Sequence, residues 1–301
     1  MPDSSRTVYK RVRATKPMVK RRTLALLLML GLGWPAAHAQ TELSDLAKIR
    51  ASGVLKVAIY KDNAPFSDGP ATDMKGLDVA IAEALAKQMQ LKLTLLPFDA
   101  GENMGDDLRN MVWRGHYLGY GPADVMLHVP VDKYLMQQNR QVQIFAPYMR
   151  QTPVLMHDPA VLPKVNGPED LKGFTLAAER GTGPTSVLMG QQSGMLMSQV
   201  VLYKSGVAAV KAAMDGKASA AYVMRSEAES TLSQARPELA HWTLSPLPLY
   251  GIPENGWPLG MAVKAGYKDL GQALQNAMQA LRSSGELLVI FKNHGMTLTA
   301  P

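Results

Sequence analysis

Cysteine is absent from the 301 residues. That removes disulfide frameworks, cysteine zinc sites, iron–sulfur clusters and thiol catalysis together. Aromatics amount to only 6% and charged residues to 19%, while 47% of the chain is hydrophobic. This balance excludes disordered and collagen-like chains and is ample for packed cores, at a length that suits two domains. No HExxH, no G-x-S-x-G elbow and no Walker loop occurs, and the histidines at 116, 128, 157, 241 and 294 never stand three or four residues apart. The expectation is therefore no metal, no cofactor, no catalytic residue and no enzyme.

Acidic charge is scarce at the start of the chain. Residues 1–39 hold Arg6, Lys10, Arg11, Arg13, Lys16, Lys20, Arg21 and Arg22 against Asp3 alone. Removing these eight bases and one acid from the totals of 32 and 25 leaves 24 of each, so the net charge of +7 sits entirely in this segment. A basic stretch, the apolar run Leu24 to Leu32 and the small-x-small site Ala37-His38-Ala39 follow in the order of a secretory signal peptide. The apolar run is far shorter than the roughly 20 residues needed to span a bilayer. Cleavage is expected after Ala39, with a formally neutral, unlipidated, monomeric product in the periplasm. It has no stable membrane insertion, and the case for a nucleic-acid partner disappears. The competing reading is an uncleaved anchor.

Beyond the leader, Gly53 to Tyr60 reads as a strand, Asp78 to Met89 as a helix with Leu77, Ile81, Leu85 and Met89 on one face, and Leu91 to Leu96 as a strand. This is a βαβ unit, so a parallel wound sheet is expected. Asp106 to Arg114, ended by Gly115, precedes a strand at Ala123 to Val129. The device returns as Val207 to Asp215, Gly216 and Ser219 to Met224, which suggests two lobes of similar build. Phe145-Ala146-Pro147-Tyr148 and the Pro-rich return Ser245 to Pro258 read as crossings between them. A strand at Leu259 to Val263 and a helix around Asp269 to Arg282 close the chain.

The segments APFSDG (64–69), GLDVAIAEALA (76–86), DLKGFTLAAERGTG (170–183) and GMAVKAGYKDLGQALQNAMQALRSSGE (260–286), in this order, resemble the family 3 extracellular solute-binding proteins. The resemblance implies an α/β chain of the two-lobed periplasmic-binding-protein fold (type II), each lobe a wound sheet flanked by helices, with two hinge crossings. Lobe 1 would take residues 40–148 and 246–301, and lobe 2 residues 149–245. A small-molecule ligand would close the lobes and be delivered to an ABC transporter permease.

In amino-acid-binding members of that family an Arg of the first lobe clamps the carboxylate, an Asp of the second receives the ammonium, and an aromatic near the first loop covers the side chain. Asp62 and Phe66 fill the first loop here. Lys133 is the nearest cation after the Ala123–Val129 strand, and Met224 and Arg225 stand where the acid belongs. Neither can stabilise an ammonium, so ordinary α-amino acids are disfavoured. The segments LRN (108–110), ADVMLHVP (123–130) and PYMRQT (147–152) resemble a branch of the family associated with quinoprotein alcohol dehydrogenases, the MoxJ and XoxJ type accessory proteins, from which HYLGYGP (116–122) departs as an insertion. This second resemblance implies a PQQ-dependent dehydrogenase as partner instead of a permease.

The expected ligand contacts are Asp62, Phe66, His128, Lys133, Thr182 and Arg225. Arg180 to Ser186 either offers helix-opening N–H groups to an anion or is an ordinary Gly-Pro turn. Arg225 either receives an anion or pairs with Glu227 or Glu229 on the surface. Asn103, Asp106 and Asp107 either meet a polar ligand or cap a helix. Trp113, His116, Tyr117 and Tyr120 either pack locally or anchor a protein partner. The 19 methionines are core filler first.

Overall fold

A computed structural model describes residues 43–235 and 241–301. The expected signal peptide 1–39 and its cleavage point lie outside the described residues. No helix among the described residues is long and apolar enough to cross a membrane. In chain order the elements are α1 (Asp45–Ser52), β1 (Val54–Tyr60), α2 (Leu77–Gln88), β2 (Lys92–Phe98), α3 (Met104–Leu108), β3 (Val125–Pro130), α4 (Lys133–Gln138) and β4 (Val142–Gln151). They continue with β5 (Pro153–His157), β6 (Leu176–Glu179), α5 (Gly183–Gly190), β7 (Val200–Tyr203), α6 (Gly206–Met214), β8 (Ala220–Met224), α7 (Arg225–Ser233) and β9 (Thr243–Ser245). Strand β10 (Trp257–Lys264), α8 (Lys268–Ser283) and α9 (Glu286–Asn293) end the chain.

Two five-stranded sheets result, ordered β2-β1-β3-β10-β4 and β7-β6-β8-β5-β9. Each is covered on both faces, which makes both wound layers. On one face of the first sheet Leu55, Val57 and Ile59 meet Leu77, Ile81 and Leu85 of α2 and Leu274 and Leu281 of α8. The other face packs Ala58, Met126 and Ala262 on Leu108 and Met111. In the second sheet, Leu155 and Tyr222 meet Leu188, while Ala177 and Ala221 meet Ala209, Val210 and Ala213 of α6. Small residues on both sides of that second contact let α6 lie close to the strands.

The expected parallel order holds only in part. Strands β1, β2 and β3 are parallel, as are β6, β7 and β8, but β10 runs antiparallel to β3 and β4, and β5 antiparallel to β8 and β9. The reason is topological. A strand that enters directly from the other sheet has no helix to reverse it, so it runs against its neighbours. The expected crossing at Phe145–Tyr148 is also displaced, since β4 stays in the first sheet as far as the Gln151–Trp257 pair and the chain changes sheet at Thr152. The helix expected at Asp106–Arg114 begins at Met104 and widens into a π-turn at Arg109–Trp113.

Candidate functional site

Strand β1 ends on Tyr60 and β3 runs parallel beside it, so their carboxyl ends share the edge at which wound α/β sheets hold ligands. On one side of β10 the pairs Phe145–Met261 and Met149–Leu259 leave Ala146, Pro147 and Tyr148 opposite Gly260. On the other, the pairs Val129–Gly260 and Met126–Ala262 leave Leu127 and His128 opposite Met261. Both neighbours of β10 are therefore bulged at one level, and Ala146 (φ 48°) and His128 (φ 62°) take left-handed backbone there. Glycine is needed at 260 because a Cβ would lie 2.5 Å from the Phe145 carbonyl oxygen.

The two bulges bring Tyr148 and His128 together over Asp78, in the first turn of α2. Asp78 is 1% exposed, and its carboxylate accepts from Tyr148 Oη at 2.8 Å and meets His128 Nδ1 at 2.8 Å. The His128 N–H donates to Tyr148 Oη at 3.0 Å, closing the triangle. With Asp78 ionised, Nδ1 carries the proton and Nε2 remains for another partner, accepting from it when the ring is neutral and donating when it is charged. Burial first, and then the Asp78 charge, raises the Tyr148 phenol well above its ordinary value, so it keeps its proton, donating it to Asp78 while its oxygen accepts the His128 N–H.

Phe66 is buried and sets its ring 4.4 Å from His128, edge to face, with Tyr60 at 6.3 Å on another side. Tyr60 Oη donates to Asp107 at 2.7 Å, and Asp107 also accepts from the Gly101 N–H. Burial raises the Asp107 carboxyl above its ordinary value and, together with the Asp107 charge, raises the Tyr60 phenol well above its own.

In the second sheet the carboxyl ends of β6 and β8 again carry the polar groups. Thr182 caps α5, accepting from the Thr185 N–H at 3.3 Å and donating to Thr185 Oγ1 at 2.9 Å. Arg225 opens α7 with its side chain 35% exposed and its guanidinium 3.5 Å from Glu229, which also takes the N–H of Thr297 at 2.7 Å. The Arg225 partner is thus held by the segment after α9. Glu227 turns inward, accepts from the Met224 N–H at 2.8 Å and lies against Gly206, whose N–H Glu179 takes.

Of the six expected contacts, Phe66 and His128 meet. No hydrogen bond or ion pair joins any other two of them among the described residues. Asp62 is exposed with φ 49°, and Lys133 is exposed at the start of α4. Arg225 takes the ion-pair alternative with Glu229, and Asn103 caps α3, while Asp107 serves Tyr60 rather than a helix. Trp113 packs on the core, but His116 stacks on Tyr120 and meets an outward Tyr117 (88% exposed) at a tilt. A cavity of about 620 Å³ between the loop at Ala64–Gly76, α6, α7 and the end of α9 touches none of the six.

Sequence reasoning missed Tyr60, Asp78, Tyr148, Glu179 and Glu227. One signal was available for Asp78 and Tyr148, since both are polar-ended residues inside otherwise apolar stretches. Glu227 also stands three residues after Met224 at a helix start, the spacing of a capping glutamate.

No protein-family model matches the chain, and no curated protein matches it. Solved structures do. An ancestral cationic amino acid solute-binding protein superposes with TM-score 0.65 at 19% identity over 84% of this chain and all of that one. The chain has the fold of the two-lobed solute-binding proteins. An amino acid ABC transporter substrate-binding protein from Streptococcus pneumoniae, bound to L-arginine, follows at 0.60 and 20% identity over 85% of this chain and all of that one. A polar amino acid ABC uptake transporter substrate-binding protein from Streptococcus thermophilus gives 0.63 and 16% over 88% and 94%. In the solute-binding fold, the Asp78–His128–Tyr148 triangle and the β6/β8 rim occupy the strand ends of the two sheets.

Proposed function

We propose that this protein is a periplasmic solute-binding protein that closes on a small polar or anionic solute, not an ordinary α-amino acid, and delivers it to an ABC permease. The moving bodies are the two sheets with their helices, joined at Thr152 and along the return between Ser245 and Trp257, and the protein works as a monomer. One observation carries the reading. An imidazole and a guanidinium face the proposed cleft, His128 held by buried Asp78 on one lobe and Arg225, paired with Glu229, opening α7 on the other. An ammonium needs a counter-charge when desolvated, whereas a carboxylate or other anion is served by imidazole and guanidinium. Asp62, Phe66, Lys133 and Thr182 complete the contacts, Phe66 by fixing the His128 ring.

The test is thermal unfolding of the protein lacking residues 1–39 in glycolate, oxalate, inorganic phosphate, L-arginine and L-glutamine. At least one of the three anions is expected to raise the midpoint by about 5 °C at saturation, and His128→Ala or Arg225→Ala to abolish the rise. An equal rise with L-glutamine that survives Arg225→Ala sinks the reading.

A second reading is an accessory protein of a PQQ-dependent alcohol dehydrogenase. The exposed stack of His116, Tyr117 and Tyr120 favours it, because tyrosine is a frequent interface anchor. Under this reading Tyr117→Ala abolishes capture of the dehydrogenase and no solute shifts the midpoint. Dehydrogenase capture that is unchanged by Tyr117→Ala excludes the stack as the anchor.

A further inference from the structure

Glu179 ends β6 and Glu227 lies in the first turn of α7, at the carboxyl ends of the paired strands β6 and β8. Their carboxyl groups come together at Gly206, Glu179 on its N–H and Glu227 against its Cα. Each also takes a backbone N–H at a helix opening, Glu179 Oε2 from Gly206 at 3.2 Å and Glu227 Oε2 from Met224 at 2.8 Å. A Cβ at position 206 would overlap the Glu227 carboxyl, so glycine there lets the acid lie against the backbone of α6.

The surrounding titratable and charged groups are Arg180 after β6, Tyr203 on β7 with Lys204 beyond it, Lys211 on α6, Tyr222 on β8, His157 on β5, and Arg225 and Glu229 on α7. None gives either carboxyl a hydrogen bond or ion pair. Arg225 is turned to Glu229, and His157 to the Leu162 carbonyl and Ser245. Two carboxyl groups brought together at Gly206, Glu227 buried and Glu179 half-buried, with no cation on either, are best accommodated with a proton between them.

We propose that Glu179 and Glu227 hold one proton in common and so act as positioning residues for the second lobe's binding rim, tying the end of β6, which leads to Thr182, to the opening of α7, which carries Arg225. That these segments meet the solute rests on the function proposed above; the proton pair itself does not. When the proton leaves, two like charges face each other across Gly206, and the β6 end and the α7 opening are pushed apart.

Burial, and after it the Glu179 charge, pushes the Glu227 carboxyl up to about 8. A folded-state value raised above the ordinary carboxylate range gives stability that is complete below about pH 4.3 and is lost as pH rises through about 8.

The test uses the unliganded protein lacking residues 1–39. Its unfolding midpoint is expected to fall between pH 5 and pH 9, and Glu227→Gln, which stays neutral and still donates to Glu179, to flatten that fall and exceed the wild type at pH 9. Hydrogen exchange in segments 180–186 and 222–228, corrected for intrinsic rate, is expected to rise about tenfold from pH 6.5 to 9 in the wild type and not in the variant, tenfold being the factor one pKa unit carries. The infrared spectrum of the wild type at pH 7 is expected to show a protonated-carboxyl stretch that disappears by pH 9.5, a readout that needs no variant to fold. An equal fall in both proteins, exchange independent of pH, or no such band overturns the proposal. No solute enters these measurements, so a silent solute panel beside a positive result here removes the binding reading and leaves the shared proton standing.

Discussion

Asp78→Ala is expected to destabilise the protein by about 3–5 kcal/mol in urea unfolding, the cost typical of breaking a buried ion-pair or charged hydrogen-bond contact from one side. The carboxylate is 1% exposed and holds two partners from different strands, Tyr148 on β4 and His128 on β3. Removing it leaves a fully buried phenol whose proton has no acceptor, and an imidazole in left-handed backbone without the contact that compensates that conformation. Asp78→Asn, which keeps one acceptor oxygen, should cost less than half as much. A loss under 1 kcal/mol for Asp78→Ala would show that the triangle does not hold the two bulges. His128→Gly separates the terms, because glycine relieves the φ of 62° while deleting the imidazole.

Gly256→Ala comes next, with an expected loss of about 2–5 kcal/mol: 1–2 for a Cβ in left-handed backbone and 1–3 for overpacking. Gly256 has φ 60°, and a Cβ there would run into the Gln151 carbonyl oxygen and lie 2.9 Å from Thr152 Cα. Those atoms belong to the outgoing crossing and Gly256 to the returning one, so the two crossings touch backbone to backbone. The obstacle cannot swing away as a side chain would. Gly266→Ala, where the backbone is not left-handed and a Cβ meets nothing within 4 Å, is the control free of both costs and should be silent. Urea midpoints measure both. A Gly256→Ala protein within 1 kcal/mol of wild type would mean that the crossings separate easily.

Most of the scaffold was readable from periodicity. β1, α2, β2, β3, α6, β8, β10 and α8 lie within two or three residues of their expected limits, because each buries one stripe or one face, and Gly216 and Gly285 follow the ends of α6 and α8. What failed was pairing. Pro147 made Phe145–Tyr148 look like a break, whereas it stands in a bulge inside β4, and only the register against Gly260 reveals this. The site was less legible for the same reason. Asp78, His128 and Tyr148 are 50 and 20 residues apart along the chain, and no local pattern announces that two bulges will face neighbouring residues of one strand, Gly260 and Met261. Arg225 was recognisable as a helix-start cation, but its true partner, Glu229, had an equal rival in Glu227 until burial separated them.

The place of β10 in the first sheet also sets an order of assembly. Among the described residues strand β4 pairs with β10 and with no other strand, so it has no ladder until residues 257–264 arrive. The second sheet is complete once Ser245 has emerged, and its strands need nothing from either end of the chain. A chain growing or crossing a membrane from its N-terminus can therefore finish its inserted half first. The half that contains both ends waits for a single late strand, and until then the apolar edges of β3 and β4 stand open to self-association.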